Sequence, residues 1–142
     1  MLSKKAKYAI NALVSIASNQ QDGPQLISDI AQEANVPKKF LETILLDLKK
    51  AGILASKRGK GGGYYLLRHP KDINMAEVMH IMDGPIALLP CVSEKFYEKC
   101  AECKDEATCG IRHYFQEVRN KSYAVLSKAT LKKIVDREAS IG

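Results

Sequence analysis

The sequence predicts a mainly α-helical fold that carries one small β-hairpin and a long helix near its C-terminal end. Three observations predict it. Apolar residues recur at helical spacing through residues 4–18, 26–34 and 37–51. A glycine-rich tip, Gly59-Lys-Gly-Gly-Gly63, separates two short runs that read as strands. From residue 110 onward, apolar residues return at alternating four- and three-residue steps, the spacing of a helix paired with another helix.

The first helix is expected over Lys4–Ser18, burying Ala6, Ala9, Ile10, Leu13, Val14 and Ala17, with Ser3 capping its first free amides. Asn19 to Pro24 is a polar break that contains a Gly-Pro step. A second helix over Leu26–Ala34 is expected to bury Leu26, Ile27, Ile30 and Ala31. Asn35 tolerates a left-handed turn, and Pro37 suits the first position of a third helix over Pro37–Ala51. That helix is expected to turn Phe40, Leu41, Ile44, Leu45 and Leu48 inward and to end at Gly52. Lys38, Lys39, Glu42, Thr43 and Lys49 remain on its free face.

Two helices joined by so short a turn match the helix-turn-helix plan, in which the second helix enters the major groove of DNA. An ordinary helical hairpin with a solvated charged face shares this pattern, and residues 53–67 decide between them. Ile53–Arg58 and Tyr64–Leu67 read as strands, with Arg58 and Lys60 at the glycine-rich tip. A slim cationic hairpin directly after a helix-turn-helix is a wing, shaped to enter a minor groove or lie along phosphates. The glycine run is not a nucleotide-phosphate loop, because it joins two strands and lacks the Gly-Lys-Ser/Thr step.

Residues 70–75 read as a linker, and Asn74 with Glu77 resembles a capping box that starts a helix running to Met82. Val78, Met79 and Met82 read as packing residues. Asp83-Gly84-Pro85 stops the helix. The long helix from Gly110 carries Ile111, Phe115, Val118, Ser122 and Val125 as a seam, which points to dimerisation, with a helix folded back on its own domain as the rival reading. A final helix follows Thr130 through Leu131, Ile134 and Val135.

Charge supports a nucleic-acid partner. Residues 1–70 hold 11 Lys/Arg against 5 Asp/Glu, whereas residues 71–142 hold 11 of each, so the whole net charge of +6 lies in the first half. No apolar run approaches the roughly 20 residues needed to cross a bilayer. The first residues lack the apolar core and cleavage site of a signal peptide, so a cytoplasmic protein is expected. All four cysteines fall between Cys91 and Cys109. In a reducing cytosol this clustering reads as metal or redox chemistry before disulfides.

Several segments together resemble the Rrf2 family of bacterial winged-helix regulators. They are Leu2-Ser-Lys-Lys-Ala-Lys-Tyr-Ala9, Ile30-Ala31, Phe40-Leu41-Glu42 and Leu48-Lys-Lys-Ala-Gly-Ile-Leu54. The wing motif Arg58-Gly-Lys-Gly-Gly-Gly-Tyr-Tyr-Leu66 is the most specific. Pro70, Ile73, Asp83-Gly84-Pro85, the cysteine loop and Ser127-Lys-Ala-Thr-Leu131 complete the likeness. The resemblance implies a homodimer joined by the long helix, binding double-stranded DNA at an inverted-repeat operator, with repression the commoner outcome. It carries DNA contacts to Ser3, Lys4, Lys5 and Tyr8, to Lys38, Lys39 and Glu42, and to Arg58 and Lys60. It divides the chain into a winged helix-turn-helix domain (1–70), a linker helix (71–90), a cysteine-rich cluster-binding loop (91–109), and dimerisation and C-terminal helices (110–142).

Cys91, Cys100, Cys103 and Cys109 are separated by eight, two and five residues. Thiolates are soft ligands that suit an iron–sulfur cluster first and structural zinc second, with metal-free thiol sensing a third reading. The resemblance implies three cysteine ligands and a variable fourth. Cys103 and Cys109 fit its spacing, and the extra cysteine departs from it, which leaves three or four thiolates as alternatives. His113 stands at a different spacing from the family pattern and is left out of the ligand set. An enzyme is not expected, since no nucleotide motif, nucleophile–base pair or carboxylate constellation is present. The rival reading is an iron–sulfur electron-transfer or redox protein without operator binding, which leaves the basic winged half without a purpose.

Overall fold

Ser3 stands in extended conformation ahead of the first helix, and its hydroxyl accepts a hydrogen bond from the Ala6 amide at 3.0 Å. That cap opens α1 (Lys4–Ser18). The computed structural model describes residues 2–141; the outermost residues of the expected first and last segments, Met1 and Gly142, lie outside it. Small residues make α1 the axis of the fold. Ala6, Ala9 and Ala12 are wholly buried beside Leu13 and Ile16, letting neighbouring helices approach on several sides. Ile10 and Val14, expected inside, are only half-buried.

α2 (Ile27–Ala34) and α3 (Lys38–Lys50) are joined through Asn35, the one non-glycine residue of positive φ among the described residues (φ 54°). Its amide bonds back to the closing turn of α2, and buried Val36 pins the corner. Pro37 caps α3 from outside rather than occupying its first turn. Leu41, Ile44, Leu45 and Leu48 are buried at helical spacing, as expected. Two expectations of burial fail. Leu26 and Phe40, at the entries of α2 and α3, are 55% and 62% exposed, Phe40 lying near the Tyr8 ring of α1 at the surface rather than in the core.

β1 (Leu54–Lys57) and β2 (Gly63–Leu66) form an antiparallel hairpin, with Leu54 opposite Leu66 and Lys57 opposite Gly63. The hairpin is anchored to the chain ahead of α2. The Gln25 amide donates to the Tyr64 carbonyl at 2.9 Å, and the Tyr64 amide returns to Gln25 at 2.7 Å. This close approach explains Gly63: any Cβ there would collide with the Gln25 backbone, and its φ of 136° is a glycine conformation.

The core does not stop at the hairpin. After a single helical turn at Pro70–Asp72, Ile73 is wholly buried, and Asn74 caps α4 (Met75–Met82) through the Glu77 amide at 2.9 Å. α5 (Gly110–Lys128) lies against α4, and α6 (Leu131–Ile141) returns to α1. Two backbone bonds hold that return: Leu131 N–H to the Ile73 carbonyl at 2.8 Å, and Met75 N–H to the Ala129 carbonyl at 3.0 Å. Leu131 is wholly buried in the same core as Ala6 and Leu41. By contrast, α5 buries none of its residues fully. No helix among the described residues is long and apolar enough to cross a membrane.

Candidate nucleic-acid interface and cysteine loop

The packing of α1 across α3 brings two of the three expected cationic groups together. Lys4, Lys5 and Tyr8 of α1 line one cleft with Phe40, Thr43 and Ile44 of α3. Lys38 and Lys39, exposed in the first turn of α3, come immediately after the turn between the helices, and Glu42 is exposed one turn later. Lys5 is the partnered member of the set, its ammonium 2.9 Å from the Asp47 carboxylate. The hairpin adds Arg58 and Lys60, both exposed at its tip. Its base is tied to α3 where Lys49 donates to the Ser56 hydroxyl at 2.6 Å.

Ser3 differs from the other expected contacts. Its hydroxyl donates to the Asp83 carboxylate, and its amide donates to the other Asp83 oxygen at 3.2 Å. Asp83 closes α4, and Gly84 stands next with φ 85°. The first residues of α1 are therefore strapped to the point where the chain leaves for the cysteine loop. Nothing in the sequence marks these residues as partners, since they are eighty positions apart.

The loop from Pro85 to Cys109 holds little regular structure beyond single turns at Pro90–Val92 and Glu106–Thr108. Cys91, Val92 and Ser93 are buried against α5. Cys100 is exposed, and Cys103 and Cys109 are half-buried. All four are free thiols, and all four line one cleft of about 520 Å³ with Leu89, Ile111 and Arg112. Among the described residues no three His, Cys, Asp or Glu side chains converge tightly enough to hold a metal ion. The donor chemistry therefore fits a soft-metal centre, while the thiols stand around a shared space rather than in a finished coordination sphere.

Local interactions set the state of each part of the loop. Cys100 donates to Glu102 at 3.2 Å, which pushes the thiol pKa up and holds the Glu102 carboxyl below its ordinary value. Cys109 caps α5, its sulfur accepting from the Arg112 amide at 3.4 Å. The Arg112 Nε is buried beside this cleft with no hydrogen-bond partner. Tyr97 donates to Glu106, a contact that pushes the phenol pKa up. Arg119 of α5 pairs with Glu94 of the loop and lies 5.7 Å from the Tyr123 ring centre.

Comparison with known proteins places this arrangement in a family. The Rrf2 family profile, described as iron-dependent transcriptional regulator, matches residues 2–137. The chain belongs to the Rrf2 family. An rrf2-like HTH-type transcriptional regulator of Rhodobacter capsulatus is 45% identical over 138 residues, covering 95% of this chain and 92% of that protein. The regulator IscR of Photobacterium profundum is 28% identical over 134 residues, 94% of this chain and 74% of its own length. Among solved structures, CymR, the global cysteine regulator of B. subtilis, superposes with a TM-score of 0.79 at 26% identity, covering 96% of this chain and 97% of that one. This Rrf2 chain is thus a transcriptional regulator with a winged helix-turn-helix fold, and DNA binding follows from that membership.

The surroundings of three residues, Phe40, Asp83 and Arg112, escape a reading of the sequence. Spacing places Phe40 in the core, because spacing alone does not tell which neighbour a helix entry meets. Asp83 reads as a helix stop, and Arg112 as one charge among many. Only a signal of long-range proximity finds the last two, and a single sequence carries none.

Proposed function

We propose that this regulator is a cytoplasmic homodimer that binds an inverted-repeat operator, acts as a repressor, and responds to redox, iron–sulfur or nitric-oxide status through a cysteine-held iron–sulfur centre. The observation that carries the sensing part is that Cys91, Cys100, Cys103 and Cys109, spread over nineteen residues, all line one cleft beside half-buried Arg112, whose Nε is buried without a partner. The four thiols are the residues to hold the centre, which when bound supplies a group that exchanges electrons and reacts with small oxidants. Arg112 is suited to balance thiolate charge with its free N–H. Between the cysteines, acids alternate with lysines (Glu94, Lys95, Glu98, Lys99, Glu102, Lys104) and leave that stretch little apolar content to order it, which ligation would supply.

Lys4, Lys5, Tyr8, Lys38, Lys39, Arg58 and Lys60 carry the DNA contact in this reading, most of them to phosphates, with Lys39 and Glu42 at base edges. Ser3 acts through Asp83, connecting the DNA-facing end of α1 with the loop. The dimer forms along α5, whose Ile111, Tyr114, Val118 and Val125 lie on one helical face at 65%, 67%, 45% and 69% exposure. An apolar stripe of that length is unfavourable in water and suits a second copy of the same helix. It is displaced from the expected seam, because Phe115 and Ser122 turn back toward the protein's own side. In such a dimer the recognition helices serve half-sites about 34 Å apart.

The test is a visible spectrum with iron, sulfide and zinc analysis on anaerobically purified protein, together with operator affinity with and without the bound centre. Brown protein with iron and sulfide and a changed affinity on removal is expected. Colourless protein with stoichiometric zinc replaces the cluster by a structural metal. Equal affinities in the two forms remove the sensing role and leave the DNA-binding one.

A further inference from the structure

Phe40 is an exposed aromatic side chain at the start of α3, next in sequence to Lys39 and one turn from Thr43. It has no hydrogen-bonding group, so water gains nothing from its exposure, and burial of its ring is the favourable outcome. Its one ordered neighbour of like kind is Tyr8 of α1, with ring centres 6.3 Å apart and planes tilted by 47°. Together with Ile44 and Thr43 these rings form a cleft of about 380 Å³, rimmed by the ammonium groups of Lys4 and Lys5. Lys38 and Lys39 are exposed in the same first turn of α3 that carries Phe40.

The occupant must satisfy two demands at once. It must be anionic, because Lys4 lines the cleft beside the Asp47-paired Lys5 while Lys38 and Lys39 stand exposed in the first turn of α3, and it must bring a small apolar group to an aromatic floor. An apolar helix of a partner protein meets the second demand and leaves the lysines facing it desolvated. Duplex DNA meets both. Its phosphates flank the groove, and the thymine 5-methyl is the apolar group that its major-groove edge presents. We propose that Phe40, with the tilted ring of Tyr8 beside it, reads the 5-methyl group of a thymine in each operator half-site. This rests on the DNA-binding reading of α3 and adds to it a named specificity residue. Lysines at the rim hold the backbone in register, while Phe40 discriminates at one base pair.

Removing the methyl without touching the pairing isolates the contact. Duplexes selected from a random pool by the full-length protein are resynthesised with deoxyuridine in place of thymine, one position at a time, and titrated by fluorescence anisotropy. One position per half-site is expected to lose about three- to tenfold in affinity when the methyl goes, the scale of one buried methyl group. Phe40→Ala is expected to weaken binding to the thymine operator by a similar factor and to bind thymine and uracil duplexes alike. Phe40→Leu, apolar but not aromatic, is expected to retain part of the preference. Because Phe40 is outside the core, neither variant should alter the thermal midpoint. Tight wild-type binding that is indifferent to uracil at every position overturns the proposal and leaves DNA binding intact. So does a Phe40→Ala variant that keeps the full thymine preference. Failure to retain any duplex from the pool removes the DNA-binding reading, and this proposal with it.

Discussion

Among single residues, the tightest constraint is at Gly63, where the hairpin touches the chain before α2. Gly63→Ala places a Cβ against the Gln25 carbonyl and a side chain at a φ that L-residues avoid, so a loss of about 2 kcal/mol is expected. A denaturant melt measures it, and faster exchange at the Tyr64 amide localises it. His80 makes a second prediction. Its ring sits between Phe96 of the loop and Tyr123 of α5, with centres 6.1 and 6.3 Å away. Burial, then Lys95 and Arg119, lower its pKa below the ordinary histidine value of about 6.5. The unfolded chain therefore takes up a proton before the folded one does. Stability from the neutral ring is complete above the ordinary value and is lost as pH falls through it toward the lower folded value. His80→Gln is expected to flatten the change in denaturant midpoint between pH 7.5 and 5.5, about a unit either side of that value. An unchanged slope argues that other groups govern this window.

Among the elements, the hairpin and α5 each present surface that the rest of the chain leaves uncovered. Arg58 and Lys60 at the hairpin tip are expected to contribute charge rather than base recognition. Arg58→Ala and Lys60→Ala should weaken operator binding uniformly across sequences and reduce the salt slope by about one each. A sequence-dependent loss in either variant points instead to base readout by the tip. For α5, Val118→Glu puts a charge into the middle of the exposed stripe. In the proposed α5-joined dimer, this variant is expected to sediment as monomer under conditions where the parent sediments as dimer, with the far-ultraviolet helix signal unchanged; a parent that is itself monomeric removes the dimer proposal. Both elements are legible in the sequence: the hairpin forms at nearly the expected bounds, and α5 opens at Gly110 as expected. What spacing does not carry is rotation about the helix axis. Tyr114 joins the exposed face and Phe115 leaves it, since α4 and the loop claim one side of α5.

Across the molecule as a whole, the C-terminal end helps build the DNA-binding half. α6 lies on α1, and Leu131 is wholly buried among residues as much as a hundred positions earlier and more. Leu131→Ala is expected to destabilise the entire winged fold by about 3 kcal/mol, read as one cooperative shift of the denaturant midpoint. A separate early transition for α6 alone contradicts this. The cysteine loop behaves oppositely. Apart from Cys91, Val92 and Ser93 its residues lie outside the core, so its ordering by a ligand leaves the main fold as it is. Asp83, two residues before the loop begins, is hydrogen-bonded to Ser3 at the start of α1.

Residue order alone was enough for the elements, their succession and their chemistry. Apolar periodicity placed α1 to α4 within a residue or two and the starts of α5 and α6, Ser3 and Asn74 announced their caps, and the cationic and thiol groups were countable before any coordinate. Those features are local, set by hydrogen bonds and side-chain spacing within a few residues. Which groups meet was settled by folding in three dimensions: Phe40 against Tyr8, Ser3 against Asp83, four thiols around one cleft, and Leu131 under α1. These meetings depend on how helices cross, which is fixed by packing among residues far apart in the chain.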